Sequence, residues 1–231
     1  MPRARTSTQD TRQTAATSNG SGCLSLYSLP LFAIALIACL ITALAFNTPI
    51  PTSAAASTQT DLTTSTGLSP IFTREVQYWR DDILQWADAS SLDPNLVAVV
   101  MQIESCGNPF ARSSAGAMGL FQVMPFHFHA DENPYNTNTN ALRGLEYLAR
   151  SLATSHGNVR LALAGYNGGI GVISRGEWTW SAQTLRYVYY GAPIYEDARS
   201  GAVSSAQLDE WYRKYGAGLC RQASQKLGLD P

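Results

Sequence analysis

Glu104 is the residue whose type and setting most invite chemistry. Leu96, Val97, Val100 and Met101 fall at helical spacing, and Glu104, four residues beyond Val100 and seven beyond Val97, projects from the same stripe. A carboxyl on a core-facing stripe carries a desolvation cost unless it is paired or protonated. The spacing fits two roles. One is a helix-end carboxylate that reaches solvent or an arginine such as Arg112; the other is a general acid whose pKa is raised by partial burial. A second string, His127, His129 and Asp131, has a two-residue spacing that suits metal ligands on a strand. It follows Met124 and Pro125 in an expected loop with no further ligand group, so no metal is expected. His156 reads as an exposed helix-end residue.

These side chains need elements to hold them. Asp93 followed by Pro94 is an N-cap with proline at the first helical position, which predicts a helix through Ser105 with Glu104 near its end. Val76, Trp79, Ile83 and Trp86 line one face of an earlier helix that ends near Ser90. Helical patterns recur over 144–155, 159–166, 182–190 and 204–215. Gly107-Asn108-Pro109, Gly116 and the cluster Gly168, Gly169 and Gly171 punctuate them. No stretch alternates with period two. The expected fold is all-α, mainly helical with irregular loops, over residues 71–231, enough for a single core.

Ahead of this domain the composition changes abruptly. No charged residue occurs from Gln13 to Thr60, and residues 29–46 form an apolar run close to the length of a membrane-crossing helix. Arg3, Arg5 and Arg12 precede it, opposed by Asp10, and the next positive charge is Arg74. Residues 1–28 are therefore expected as a cytoplasmic polar tail, 29–46 as a transmembrane anchor or signal segment, and the remainder outside the cytoplasm. The run fits an uncleaved anchor, a signal peptide cut after Ala43-Leu44-Ala45, or a lipoprotein signal at Leu36-Ile37-Ala38-Cys39. The long polar extension before it favours the anchor. Residues 47–70, rich in Ser, Thr, Ala and Pro with Asp61 as the sole charge, read as a flexible tether. Cys106 and Cys220 are the two cysteines of the exported domain, where a disulfide between them is expected.

Composition removes several function classes. The 231 residues carry 16 Lys and Arg against 17 Asp and Glu, a net charge of −1, which leaves no electrostatic footprint for a nucleic-acid partner. At 45% hydrophobic and 14% charged the chain is not disordered as a whole. Four cysteines, none in a CxxC spacing, exclude a zinc finger and a disulfide scaffold.

Residues 103–125 read IESCGNPFARSSAGAMGLFQVMP and residues 164–169 read AGYNGG. These segments resemble the soluble lytic transglycosylase (SLT) family, with its Glu-Ser pair, its Gly-Ala-x-Gly-Leu-x-Gln-x-Met-Pro segment and its later Ala-Tyr-Asn-x-Gly. Asn138 to Leu148 and Gln183 to Val188 are similar to two further segments of that family. The resemblance implies a lysozyme-like helical fold and cleavage of the β-1,4 bond between N-acetylmuramic acid and N-acetylglucosamine in peptidoglycan. The sugar's own C6 hydroxyl closes a 1,6-anhydro ring, so no water is consumed and no cofactor is needed. One carboxyl suffices, Glu104 by motif match, whereas a hydrolase ordinarily needs two. The match makes Gln122, Met124, Tyr166, Asn167 and Tyr187 substrate-binding positions, with Ser105 and Ser113 supporting the site. Met124 and Tyr166 also fit plain core packing.

Two positions depart from the pattern. Gln183 stands where Glu is usual, and Gly165 stands where Ala is common and is expected to loosen its helix. A muramidase that uses the same Glu104, and a catalytically idle glycan-binding scaffold, remain alternatives. The implied partners are peptidoglycan strands and, through the N-terminal segment, the cell membrane. The domain is expected on the extracytoplasmic side of a single-pass protein, or secreted if the segment is cleaved.

Overall fold

The computed structural model describes residues 67–229. The tail, the apolar run and the tether up to residue 66 lie outside them. No helix of the described residues is long and apolar enough to cross a membrane.

Among the described residues eight α-helices follow one another: α1 (Arg74–Gln77), α2 (Arg80–Ser90), α3 (Pro94–Glu104), α4 (Thr137–Thr154), α5 (Val159–Gly168), α6 (Ala182–Arg199), α7 (Ala206–Trp211) and α8 (Ala217–Leu227). Among the described residues no strand forms. Two isolated antiparallel bridges, Arg112 with Met118 and Met118 with Val123, are the nearest approach to one.

The centre of the core is α3. Leu96 to Met101 are all at most 1% exposed, and a helix apolar on every side can only be buried. Asp93 caps it by accepting from the Asn95 N–H, and Pro94 at the first position gives up no bond that the helix needs. Helices α2 and α6 pack against it, while α5 packs against both α4 and α6.

Boundaries differ from the periodic expectation in three places. The stripe from Val76 to Trp86 is split between α1 and α2 at Tyr78 and Trp79. Trp79 leaves the helical ladder to donate its indole N–H to Gly107 O at 2.9 Å, next to the end of α3. Helix α6 runs on through Pro193 to Arg199 because Ile194, Tyr195 and Ala198 are buried beyond the proline. The expected helix over 204–215 is α7 followed by a π-type turn, Tyr212–Gly216, and the chain then continues as α8.

Sequence periodicity missed α8 because its buried face is made of small residues, Cys220, Ala223 and Ser224. Two specific bonds hold it. Cys220 is disulfide-bonded to Cys106, with Cα atoms 5.0 Å apart. Ser224 Oγ donates to the buried Glu75 at 2.5 Å. Burial would raise the Glu75 carboxyl, but hydrogen bonds from Ser224, backbone and Arg74 bring it below the usual range. The ordered domain also starts before residue 71: Leu68 and Ser69, expected in the tether, are each 3% exposed, and Ser69 N–H donates to Asn95 Oδ1.

Candidate active site

Glu104 is the last residue of α3, and beside it opens a cleft of about 620 Å³. One wall comes from the loop 113–127, the other from α4 and the end of α5. Gln122, Met124, Tyr166 and Asn167 all line it together with Glu104 and Ser113. Glu104, Asn167 and Gln183 also border a smaller hollow of about 190 Å³, otherwise walled by α6 and the C-terminal segment, and Tyr187 lines that one. Glu104 is the sole carboxylate among the residues lining either space.

The setting decides its protonation. Desolvation pushes the Glu104 carboxyl from the ordinary 4.5 to about 8, opposed in part by the Tyr187 hydroxyl. The C-terminal end of α3 is the negative pole of the helix, which disfavours the ionised form further. Tyr187 Oη is buried and faces this carboxyl, but the pair falls outside standard hydrogen-bond geometry, so the hydroxyl has no full-strength partner. Burial and the nearby Glu104 charge raise both Tyr187 and Tyr166 well above the usual phenol range, so both rings stay neutral.

The loop facing Glu104 is fixed by backbone capture. Ser105 Oγ donates to Leu120 O at 2.7 Å and accepts from the Gly107 N–H, tying the end of α3 to the turn at 119–122. Ser113 Oγ accepts from the Ala117 N–H and closes the hairpin-like loop. Gln122 adopts φ 45°, rare for a residue with a side chain, while its amide donates to Ala111 O and Gly119 O. Gly119 at φ 75° is obligatory, because a Cβ there would strike the side chain of Asn140. Asn140 itself accepts from the Phe121 N–H and donates to Met118 O and Pro134 O.

From the opposite wall, Tyr166 donates to Phe121 O at 2.7 Å, leaving its ring edge for the cleft. Asn167 Oδ1 accepts from the Thr184 hydroxyl at 3.1 Å. Gln183, in the first turn of α6, is exposed at the junction of the two spaces. Gly165 has a packing reason rather than a loosening effect, since a Cβ there would run into Ser151 Oγ and Ile173.

Sequence reasoning placed Asn140 and Tyr147 inside the matched segment 138–148 without giving them a role and passed over Arg150, although Tyr147 and Arg150 line the cleft and the Tyr147 hydroxyl accepts from the Ile170 N–H. The spacing of Gly144 and Tyr147 on one helical turn was the available signal. His127 joins the cleft wall and packs against the Tyr147 ring, whereas His129 and Asp131 are exposed. Among the described residues the group of potential metal ligands brought together is Glu75, Cys106 and Cys220, and its cysteines are bonded to each other. Glu132 is no second catalytic carboxylate. It grips Arg143 through two contacts, at 2.6 and 3.0 Å, and this guanidinium with the His129 N–H holds it down at about 2.

Comparison with known proteins locates this arrangement. Residues 81–184 match the family described as the transglycosylase SLT domain. A transglycosylase of Enterobacteria phage PRD1 is 37% identical over 111 residues, which cover 47% of this chain and 40% of that protein. Membrane-bound lytic murein transglycosylase E of Buchnera aphidicola is 38% identical over 47 residues, 20% of this chain and 21% of that protein. The chain thus spans well under half the length of the curated relatives it matches. A solved structure, an inactive mutant of lytic transglycosylase Slt from Pseudomonas aeruginosa, superposes with a TM-score of 0.44 at 23% identity, covering 53% of this chain and 24% of that one.

Proposed function

We propose, from the match of residues 81–184 to the transglycosylase SLT domain family, that the protein cleaves peptidoglycan between N-acetylmuramic acid and N-acetylglucosamine without using water. The observation that carries this reading is Glu104: a carboxyl held near a pKa of about 8, and the sole carboxylate lining the cleft and the hollow beside it.

Below that pKa Glu104 is protonated when substrate arrives. It donates its proton to the glycosidic oxygen as the C1–O bond breaks, and the leaving sugar departs as an alcohol. The muramoyl C6 hydroxyl then bonds to C1, and its proton returns to the Glu104 carboxylate. The ring closes as a 1,6-anhydro product and the acid is regenerated with no net consumption of water or protons. An inverting or retaining hydrolase ordinarily places a second carboxylate about 5–9.5 Å away, and that partner has no counterpart in the cleft lining. Gln183, a neutral amide where the family pattern has an acid, adds no negative charge beside Glu104.

Gln122, Met124, Tyr166 and Asn167 would hold the sugars, through a mixture of apolar faces and polar edges typical of such clefts. The apolar run 29–46 supports a membrane tether that presents the domain to the wall from the extracytoplasmic side.

Digestion of purified sacculi in heavy-oxygen water, read by mass spectrometry, tests the chemistry. The expected muropeptides end in an anhydro sugar, lighter by one water than a reducing end and free of label. Labelled reducing ends would make the protein a muramidase acting through the same Glu104. No release at any pH would leave a glycan-binding scaffold.

A further inference from the structure

The chain beyond residue 184, where the family match ends, closes one side of the space around Glu104. Trp211, Tyr215 and Leu219 wall the hollow of about 190 Å³ beside that carboxyl. Leu219 belongs to α8, which has little apolar surface to hold it in place. Its buried face is Cys220, Ala223 and Ser224, and side chains this small remove little apolar area from water. Two side-chain hydrogen bonds join it to α1: Ser224 Oγ donates to the buried Glu75 at 2.5 Å, and Arg74 donates to Ser224 Oγ at 3.0 Å. The covalent tie between its first turn and the end of α3 is the Cys106–Cys220 bond, which falls two residues past Glu104 and one past Leu219.

The backbone at Cys106 gives a second sign that this bond has a positional role. Cys106 has φ 52°, the left-handed conformation that follows a helix end and normally selects glycine or asparagine. Its N–H donates to Gln102 O at 3.2 Å as α3 ends. A β-carbon is held there against that preference, and the side chain it carries is fully buried and bonded across 114 residues. Charge is not how α8 acts on Glu104. The titratable groups that border the hollow with it are Tyr187, Tyr190 and Arg186 from α6 and Tyr215 from the π-type turn. On the cleft side they are Tyr166 from α5, Tyr147 and Arg150 from α4, and His127 from the loop. Helix α8 contributes Leu219, a side chain whose effect on a carboxyl is to exclude water, and desolvation is the largest influence on this one.

We infer that the Cys106–Cys220 disulfide is a positioning bond for the reaction: it holds Leu219 and the turn before it against the hollow, keeps water from Glu104, and so completes the acid only after the chain has met a disulfide oxidant. The inference rests on the role proposed above for Glu104. A new chain carries both thiols reduced. On closure each thiol gives up its proton, the pair passes two electrons to an external disulfide that leaves as two thiols, and one S–S bond forms. Cys106 and Cys220 are 0% and 1% exposed, so the closed bond is sheltered from reductants and the latch works in one direction. Before closure α8 rests on its hydrogen bonds to α1, the hollow admits water, and Glu104 releases its proton near neutral pH.

The test compares the oxidised full chain in detergent with Cys220→Ala, which cannot form the bond, and with Leu219→Ala, which keeps it. Two quantities are followed against pH: release of muropeptides from sacculi, and the carbon-13 resonance of the Glu104 carboxyl, assigned by its absence in Glu104→Gln. In Cys220→Ala the midpoint of both should fall by about one pH unit or more. Activity at a pH of about 8 then drops about fivefold, while activity at a pH of about 5 stays within about twofold of wild type. Leu219→Ala should move both midpoints the same way by a smaller step. An unmoved midpoint in either variant overturns the inference. So does an equal loss of activity at both pH values, which is what a merely structural bond would give. Oxidised wild type that releases nothing at any pH would overturn the enzymatic reading and this inference together, whereas active wild type with unmoved midpoints overturns this inference alone.

Discussion

A general acid working near neutral pH must hold its proton there, and the position of Glu104 fits the role proposed for it. Burial at the negative end of α3 raises it to about 8, so activity should be lost as pH rises through that value. Stability should follow the same group. Its folded-state pKa lies above the ordinary 4.5, so the folded chain binds the proton more tightly than the unfolded chain. The stabilisation from that proton is complete below 4.5 and disappears as pH climbs through about 8. Glu104→Gln cannot titrate. It should lose at least about a hundredfold in activity while still binding glycan, and its stability relative to wild type should improve by on the order of a few kcal/mol between pH 4.5 and 8, measured by urea unfolding. Tyr187→Phe gives a second readout. The hydroxyl lowers the Glu104 pKa, so its removal should shift the alkaline limb of the rate profile upward, while stability changes by less than about 1 kcal/mol because no full hydrogen bond is lost.

Helix α3 can place Glu104 reproducibly because both its ends are held. Asp93 caps the start and also accepts from the Tyr195 hydroxyl of α6 at 2.9 Å, while Ser105 hooks the end to the facing loop. The opposite wall depends on how closely α5 approaches α4, and Gly165 sets that distance. Alanine is the better helix former by about 1 kcal/mol, yet Gly165→Ala should destabilise by about 1–3 kcal/mol, because its methyl would overlap Ser151 Oγ and Ile173. Gly218→Ala, on an exposed turn of α8 with nothing within 4 Å, should instead stabilise by up to about 1 kcal/mol. Denaturation curves of the two variants moving in the same direction would remove packing as the explanation.

On the scale of the whole molecule, the disulfide between Cys106 and Cys220 joins residues 114 apart in sequence and so fastens the last helix beside the one that carries Glu104. A link that closes so long a loop restricts the unfolded chain and is typically worth about 2–4 kcal/mol. Such a bond suits an exported domain, as does the arrangement of Arg3, Arg5 and Arg12 before the apolar run. A reporter fused after Pro231 should therefore be active if it works only after export and silent if it works only in the cytoplasm. The reverse pattern would place the domain inside the cell.

Local information singled out one carboxyl as the candidate acid and the helix that carries it. Asp93-Pro94 starts a helix, the apolar period names its buried face, and Glu104 falls on that face by counting alone. The resemblance of residues 103–125 and 164–169 then pointed to the sugars' contacts. The sequence left open whether Glu104 was an exposed, arginine-paired carboxylate or a desolvated acid, because both fit the same spacing. Tertiary structure decided it: the groups that set the carboxyl's proton affinity, such as Tyr187, come from a helix far along the chain, and Glu132 is removed from contention by Arg143 on α4. Helix α8 went unseen for a related reason. Its buried face of Cys, Ala and Ser is too small to register as hydrophobic periodicity, and its place is fixed by a disulfide and a hydrogen bond to Glu75, which are long-range bonds that no local pattern encodes.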